Sequence, residues 1–147
     1  MSEFVVRLES EHPPAVAWAR IWDLERHTAT IPLTRVALDA PAVELAEGAG
    51  FTGRTALGPL GFDDTMRVAQ WRPATQDEGG VAVVDKTGRL LGGRIEVEVT
   101  PSGVGSEVIW RQRVRLPWLP AVLRPLESLA ALAAAPGYRL VLRRLLA

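Results

Sequence analysis

Residues 118–147, WLPAVLRPLESLAALAAAPGYRLVLRRLLA, decide the fold class of this chain. At helical spacing, most of the surface of this segment is apolar, formed by Leu123, Leu126, Leu129, Leu132, Ala133, Leu140, Val141, Leu145 and Leu146. The remaining stripe is polar or small: Arg124, Ser128, Ala131, Ala135, Arg139 and Arg143. So wide an apolar arc exceeds what one sheet face needs, so we expect a long helix with sheet on more than one side. Pro136-Gly137 is expected to kink or break this helix.

The sequence before this helix predicts strands. From Thr34 to Leu116, short alternating runs are divided by turn residues, and we predict strands at 34–39, 50–57, 62–71, 80–87, 92–100 and 106–116. Connections this short join neighbouring strands antiparallel, because a parallel crossover needs about a dozen residues or more. The fold class is therefore α+β, with a curved antiparallel sheet of about seven strands wrapped around a long C-terminal helix.

The first thirty residues supply the remaining strand and two short helices. Glu3 to Glu9 alternates with a period of two, which is typical of a strand with one buried face. Pro13-Pro14 favours a helix start, and Val16, Trp18, Ile21 and Trp22 follow at helical spacing. Asp23 is a natural N-cap for a second helix over Leu24 to Ile31, which Pro32 ends.

Composition excludes several classes of protein. The 147 residues, 48% hydrophobic and 23% charged, match one globular domain spanning residues 1–147. The 17 basic residues balance the 17 acidic ones, so nucleic acid is not an expected partner. Lys86 is the only lysine among the basic residues, and this preference for arginine does not by itself indicate a function. Arg124, Pro125 and Glu127 interrupt the apolar stretch 118–136, which argues against an integral membrane segment. No signal peptide is recognisable, so a cytoplasmic location is expected.

The order of elements resembles the START-like superfamily, in particular its SRPBCC branch described as polyketide cyclase/dehydrase and lipid transport. The resemblance rests on Pro14-Ala15-Val16-Ala17-Trp18 followed by Ile21-Trp22-Asp23, and on Pro32. It continues through Glu47-Gly48 before a strand beginning at Phe51, and through Phe62-Asp63-Asp64-Thr65-Met66-Arg67-Val68 running to Trp71-Arg72-Pro73. These matches span nearly the whole chain and include no catalytic motif. The resemblance implies the helix-grip fold and leaves function open.

The resemblance also implies a cavity between the concave sheet face and the long helix. Strand alternation then selects the side chains that face it. The predicted ligand-binding residues are Phe51, Phe62, Asp64, Met66, Val68, Val97, Trp110, Gln112, Leu126, Leu129 and Ala133. An apolar wall with a few polar groups is typical of small-molecule sites. The alternative is that the same residues fill a core and leave no void.

Two residues are candidates for proton transfer. Asp64 faces inward by register, whereas Asp63 faces outward, and a carboxylate in an apolar cavity could act as a general acid or base. His27 lies in the second short helix, which borders the cavity mouth in the family. The alternatives are a hydrated Asp64 at the strand rim and a solvated His27 on the surface. The two histidines, His12 and His27, are too few and too isolated for a metal site, and no cofactor is indicated.

Two further patterns have simpler explanations. Residues 48–53, GAGFTG, fit the dinucleotide-binding spacing G-x-G-x-x-G, but strand-like residues follow them instead of a helix, which favours a turn into a strand. Arg111, Arg113 and Arg115 alternate on one strand face. Pairing with Glu96 and Glu98 across an outward face explains part of that stripe without an anion.

Three functions remain open from the sequence. The first is a binding protein that holds a hydrophobic small molecule such as a lipid or polyketide in the cavity. The second is an enzyme of the cyclase or dehydratase kind that uses Asp64 for proton transfer. The third is an interaction module, as a homodimer for example, with a vestigial pocket. The apolar wall and the lack of a catalytic set favour the first.

Overall fold

The computed structural model describes residues 2–147, which form three α-helices and seven strands. The strands are β1 Ser2–Ser10, β2 Thr34–Leu38, β3 Gly50–Leu57, β4 Leu60–Arg72, β5 Gly80–Thr87, β6 Gly92–Ser102 and β7 Gly105–Arg115. The helices are α1 Pro14–Ile21, α2 Leu24–Thr30 and α3 Pro125–Leu146, with a short 3₁₀ turn at Ala121–Leu123. The predicted α+β class and the predicted order of elements are confirmed.

All seven strands belong to one antiparallel sheet with the order β1-β7-β6-β5-β4-β3-β2. Strands β2 to β7 follow one another as a meander, as the short connections predicted. The first strand lies at one edge, where Val6 pairs with Trp110 of the last strand. One face of the sheet carries the core and the cavity. On the other face Glu96 lies opposite Arg111, as the charge pattern suggested, but Glu98 lies opposite Ile109. Arg113 pairs instead with Glu3 of β1 at 3.3 Å.

The two short helices begin as the sequence predicted. Pro14 occupies the first turn of α1, where its missing N–H would have no helical partner. The carboxylate of Asp23 caps α2 by accepting hydrogen bonds from the backbone N–H groups of Glu25 and Arg26 at 3.1 and 3.2 Å. The glycine motif is a turn and a strand: Gly48 has a φ of 88°, and β3 begins at Gly50. No helix follows it, so the arrangement needed for a nucleotide phosphate is missing from these residues.

The long helix α3 is continuous from Pro125 to Leu146, so the break expected at Pro136 does not occur. Proline removes one hydrogen bond, to the carbonyl of Leu132. Leu132 and Pro136 both lie on the solvent side, where water can bind that carbonyl. The proline is therefore tolerated inside the helix. None of the helices in residues 2–147 combines the length and hydrophobicity needed to cross a bilayer.

Aromatic side chains link the helices to the sheet. Trp18 of α1 and Trp22, the C-cap residue of that helix, lie against Trp71. Their ring centroids are 5.1 and 5.3 Å from the ring centroid of Trp71. The ring of Trp22 also contacts that of Trp110, with centroids 6.3 Å apart, and Trp110 in turn contacts Tyr138 of α3, with centroids 5.8 Å apart. Aromatic pairs at such distances add to the free energy gained by burying their surface. They fix the positions of α1 and α3 relative to the sheet.

Candidate functional site

A cavity of about 240 Å³ lies between the concave face of the sheet and the helices α2 and α3. Its apolar wall includes Phe51, Phe62, Met66, Ile95 and Trp110. Its polar groups come from Asp64, Lys86, His27 and Tyr138, with Thr34 and Thr55 from the two strands at one edge. A mainly apolar lining with a few polar groups is the usual composition of a small-molecule site.

Strand alternation places the wall residues. On β4, Phe62, Asp64 and Met66 occupy every second position and share the inner face. Across the ladders, Met66 pairs with Lys86 of β5 on one side and Phe51 of β3 on the other. Three neighbouring strands thus contribute adjacent side chains to one surface.

The ammonium group of Lys86 forms an ion pair with the carboxylate of Asp64. The Lys86 side chain is 3% exposed and that of Asp64 is 16% exposed, so the pair is largely removed from water. Burial alone would lower the pKa of Lys86, but Tyr138 and Asp64 beside it together raise that pKa above its ordinary value. The lysine is therefore charged at neutral pH, and its charge is balanced inside the cavity wall.

A row of hydrogen bonds orients the hydroxyl group of Tyr138. The indole Nε1 of Trp110 donates to Gln112 Oε1 at 3.1 Å. An indole N–H can only donate, so the amide oxygen of Gln112 must face it and the amide nitrogen must face the other way. That nitrogen makes a long hydrogen bond of 3.5 Å to the oxygen of Tyr138. Tyr138 is thereby the acceptor in this contact and keeps its own proton to donate.

Two buried polar atoms of the cavity wall have no hydrogen-bond partner within residues 2–147. They are Asp64 Oδ1 and the indole Nε1 of Trp22. An unpaired buried donor or acceptor costs about 1–3 kcal/mol, so such groups commonly mark a place for a ligand or water. One of these atoms only accepts hydrogen bonds and the other only donates them.

From the sequence, His27 could also have been a solvated surface residue. The structure instead places it in the cavity wall. Its Nε2 is 2.5 Å from the backbone carbonyl of Ile21, and a carbonyl can only accept, so Nε2 carries the proton. Burial lowers the pKa of His27, although the bond to Ile21 and the charge of Asp23 oppose this effect. Within residues 2–147 no three His, Asp or Glu side chains cluster as metal ligands would.

The structure brings together five of the residues predicted to bind a ligand: Phe51, Phe62, Asp64, Met66 and Trp110 all line the cavity. Val68 and Val97 face the same side of the sheet but lie in the packed core instead of the cavity wall. Helix α1 packs on β6 and β7 and covers that end of the sheet. Gln112 lies behind the wall, where it contacts Trp110 and Tyr138.

The prediction for α3 was wrong in phase. Leu126, Leu129 and Ala133 are exposed on the outer side of the helix and do not line the cavity. The inner face consists of Glu127, Ala131, Tyr138, Leu142 and Leu145. Ala131 is 2% exposed and belongs to the packed core. The outer leucines instead form an exposed apolar surface with Leu132 and Leu140.

Sequence reasoning missed Lys86, Tyr138 and Trp22 as parts of the site. Lys86 is the chain's only lysine, and it follows Ala82 and Val84 at a spacing of two on β5. A lone lysine on the apolar side of an alternating strand was the available signal. Tyr138 and Trp22 carry no comparable signal, because a buried aromatic residue is ordinarily part of the core.

Comparison with solved structures identifies the fold. A STAR-related lipid transfer protein from Xanthomonas axonopodis is 11% identical with a TM-score of 0.71, covering 98% of this chain and 83% of its own. The Zhui aromatase/cyclase from Streptomyces sp. R1128 is 13% identical with a TM-score of 0.63, covering 98% and 90%. The chain has the helix-grip fold. The expectation drawn from the START-like resemblance is confirmed for the fold.

The helix-grip fold is shared over almost the full length of these structures. The protein TTHA0849 from Thermus thermophilus is 14% identical with a TM-score of 0.69, covering 97% of this chain and 93% of its own. No family model matches the sequence, and no curated protein matches it significantly. At identities of 11–14%, these structures share the helix-grip fold with the chain and do not establish its function.

Proposed function

We propose that this protein binds a small, mainly apolar molecule in the cavity between the sheet and helices α2 and α3. The observation that carries the proposal is the apolar cavity itself, which reaches the Asp64–Lys86 pair. A protein that needed this space only for stability would gain from filling it, because each unfilled methyl-sized gap costs about 1 kcal/mol. The chain shares its fold with a lipid transfer protein and an aromatase/cyclase, which supports the same proposal.

A second depression is a weaker candidate. It is a more open groove along α1, α2 and β2, and Trp22 separates it from the cavity. Its rim carries Asp23, Glu25 and Arg35, which are hydrated charges. The cavity is less open and more apolar than this groove, so it excludes water from a ligand more completely.

The first test is retention of a ligand. Native mass spectrometry of the purified protein should show a bound small molecule, or an added uncharged hydrophobic fluorophore such as N-phenyl-1-naphthylamine should bind and be displaced by apolar compounds. A protein that retains no ligand and binds no hydrophobic probe would argue against the proposal.

A variant that fills the cavity tests whether the probe binds inside it. Gly53 lies opposite Asp64 in the ladder, and a Cβ placed there meets only the methyl groups of Thr34 and Val36, at 3.9 Å. We expect Gly53→Leu to occupy the cavity and weaken probe binding by about tenfold or more. Gly137→Leu is the matched control, because a side chain there meets no atom within 4 Å. Equal binding by both variants would place the probe outside the cavity.

A second candidate function is proton transfer by Asp64. The observation that favours it is the unpaired Asp64 Oδ1 in a mainly apolar cavity. This oxygen could accept a proton from a carbon or hydroxyl group of a bound compound, while Lys86 stabilises the developing negative charge. Once a substrate is known, Asp64→Asn should lower turnover by about a hundredfold or more. Unchanged turnover would remove this assignment.

A further inference from the structure

The unpaired oxygen of Asp64 defines one requirement on a ligand. Asp64 Oδ2 is engaged by Lys86, whereas Oδ1 is buried without a partner among residues 2–147. A carboxylate oxygen only accepts hydrogen bonds. A ligand that presents a hydroxyl group to Oδ1 therefore removes the cost of this unpaired acceptor, and a purely apolar ligand does not.

Two hydrogen-bond donors in the cavity wall define a second requirement. Tyr138 accepts from Gln112 and makes no hydrogen bond as a donor within the described chain. Trp22 Nε1 is buried and also lacks a partner in residues 2–147. Either group can donate to an oxygen acceptor on a ligand, such as a carbonyl oxygen.

The charges around the cavity define a third requirement. Lys86 and Asp64 neutralise each other in the wall. His27 is neutral at pH 7, because burial lowers its pKa. A carboxylate or ammonium group on a ligand would enter a low-dielectric space without a counter-charge of its own, which is costly.

From these requirements we propose that the ligand is an uncharged apolar compound with both a hydroxyl and a carbonyl group. Asp64 Oδ1 accepts the hydrogen bond of the hydroxyl, and Tyr138 donates to the carbonyl oxygen. The inference rests on the proposed binding function and adds the chemical class of the ligand. It distinguishes hydroxy-carbonyl compounds from hydrocarbons, fatty acids and amines of the same size.

A matched series of naphthalenes tests the class by isothermal titration calorimetry. The series comprises naphthalene, 2-naphthol, 2-acetonaphthone, 2-naphthoate and isomeric acetylnaphthols whose two groups are too far apart for an internal hydrogen bond. We expect one or more acetylnaphthols to bind about tenfold more tightly than either singly substituted compound. We expect 2-naphthoate to bind more weakly than naphthalene at neutral pH.

Two variants assign the two groups. Tyr138→Phe keeps the ring that packs on Phe4 and Trp110, and it should abolish the advantage conferred by the acetyl group while leaving 2-naphthol affinity unchanged. Asp64→Leu combined with Lys86→Met replaces the ion pair by apolar side chains, which a protein often tolerates without loss of stability. This double variant should lose the advantage conferred by the hydroxyl group and keep its affinity for 2-acetonaphthone.

The outcomes separate the two proposals. If naphthalene or 2-naphthoate binds as tightly as every acetylnaphthol, the inference about polar groups is wrong while binding of apolar molecules stands. The same holds if Tyr138→Phe leaves the preference intact. If no compound of the series binds the wild-type protein, both the inference and the proposed function are contradicted.

Discussion

Lys86, the only lysine of the chain, pairs with Asp64 across two neighbouring strands inside the cavity wall. Lys86 also interacts with a third residue of the cavity wall. It lies beside Tyr138 of α3, so its charge acts on both sides of the cavity. The pair determines the polarity of a space whose other walls are mainly apolar.

Breaking this pair should cost more than replacing it. Asp64→Ala leaves a buried ammonium group without its counter-charge, and we expect the free energy of unfolding to fall by about 3–5 kcal/mol. The double change Asp64→Leu with Lys86→Met should stay close to the wild-type value. Urea titrations of the three proteins measure the difference. Similar losses in the single and double variants would show that burial of the charges is not what destabilises the single variant.

The pKa of Lys86 can be measured directly. Tyr138 and Asp64 raise it above the ordinary value of 10.5, so the lysine contributes to stability fully below pH 10.5 and loses this contribution as the pH rises through the folded-state pKa. With ¹⁵N-labelled lysine, the single side-chain Nζ signal of the folded protein should titrate above 10.5. The same signal in the urea-unfolded chain is the control. A folded-state midpoint below that control would contradict the pairing.

His27 should destabilise the protein in acid. Burial lowers its pKa below the ordinary value of 6.5, so the unfolded chain binds this proton more readily than the folded protein does. Stability is therefore unaffected by His27 above pH 6.5 and is lost as the pH falls towards the lowered pKa. His27→Gln can keep a hydrogen bond to Ile21 without titrating. Its free energy of unfolding should fall less than that of the wild type between about pH 8 and about pH 5.

The orientation of α3 is tested by two leucines. Leu142 is buried against the sheet and Leu129 is 60% exposed. We expect Leu142→Ala to lower the free energy of unfolding by about 2–5 kcal/mol, and Leu129→Ala to change it by no more than about 0.5 kcal/mol. Urea unfolding of both variants gives the comparison. The reverse order would mean that the leucine-rich side faces the sheet after all.

The sheet could be predicted from the sequence because alternation and turn residues act locally. Phe62, Asp64 and Met66 share a face on any strand that includes them, so spacing alone put them on one side of the sheet, whereas the cavity on that side was implied by the START-like resemblance. The phase of α3 could not be obtained in this way. Leu129 and Ala131 lie on opposite sides of the helix, and the choice between them depends on the space that Trp110 and the sheet leave inside.

Lys86 shows the same limit for charged residues. Exposure is the ordinary state of a lysine, and its burial here is explained by Asp64 and Tyr138, which are distant from it along the chain. Only the position of Lys86 two residues after Val84 pointed inward. The strand pattern of β5 can therefore indicate that Lys86 faces inward, but it cannot identify the partners that make its burial possible.

The pairing of β1 with β7 has a consequence for how the protein forms. Strands β2 to β7 each pair with a sequence neighbour, so their hairpins can assemble while the chain is still being made. Strand β1 is synthesised first, yet its partner Gly105–Arg115 is among the last strands to appear. Closing such a long loop is slow, and sheets with distant pairings fold over roughly milliseconds to seconds. Until then the apolar side of β1, with Phe4 and Val6, has no sheet to join, and such transiently exposed apolar surface is prone to aggregation.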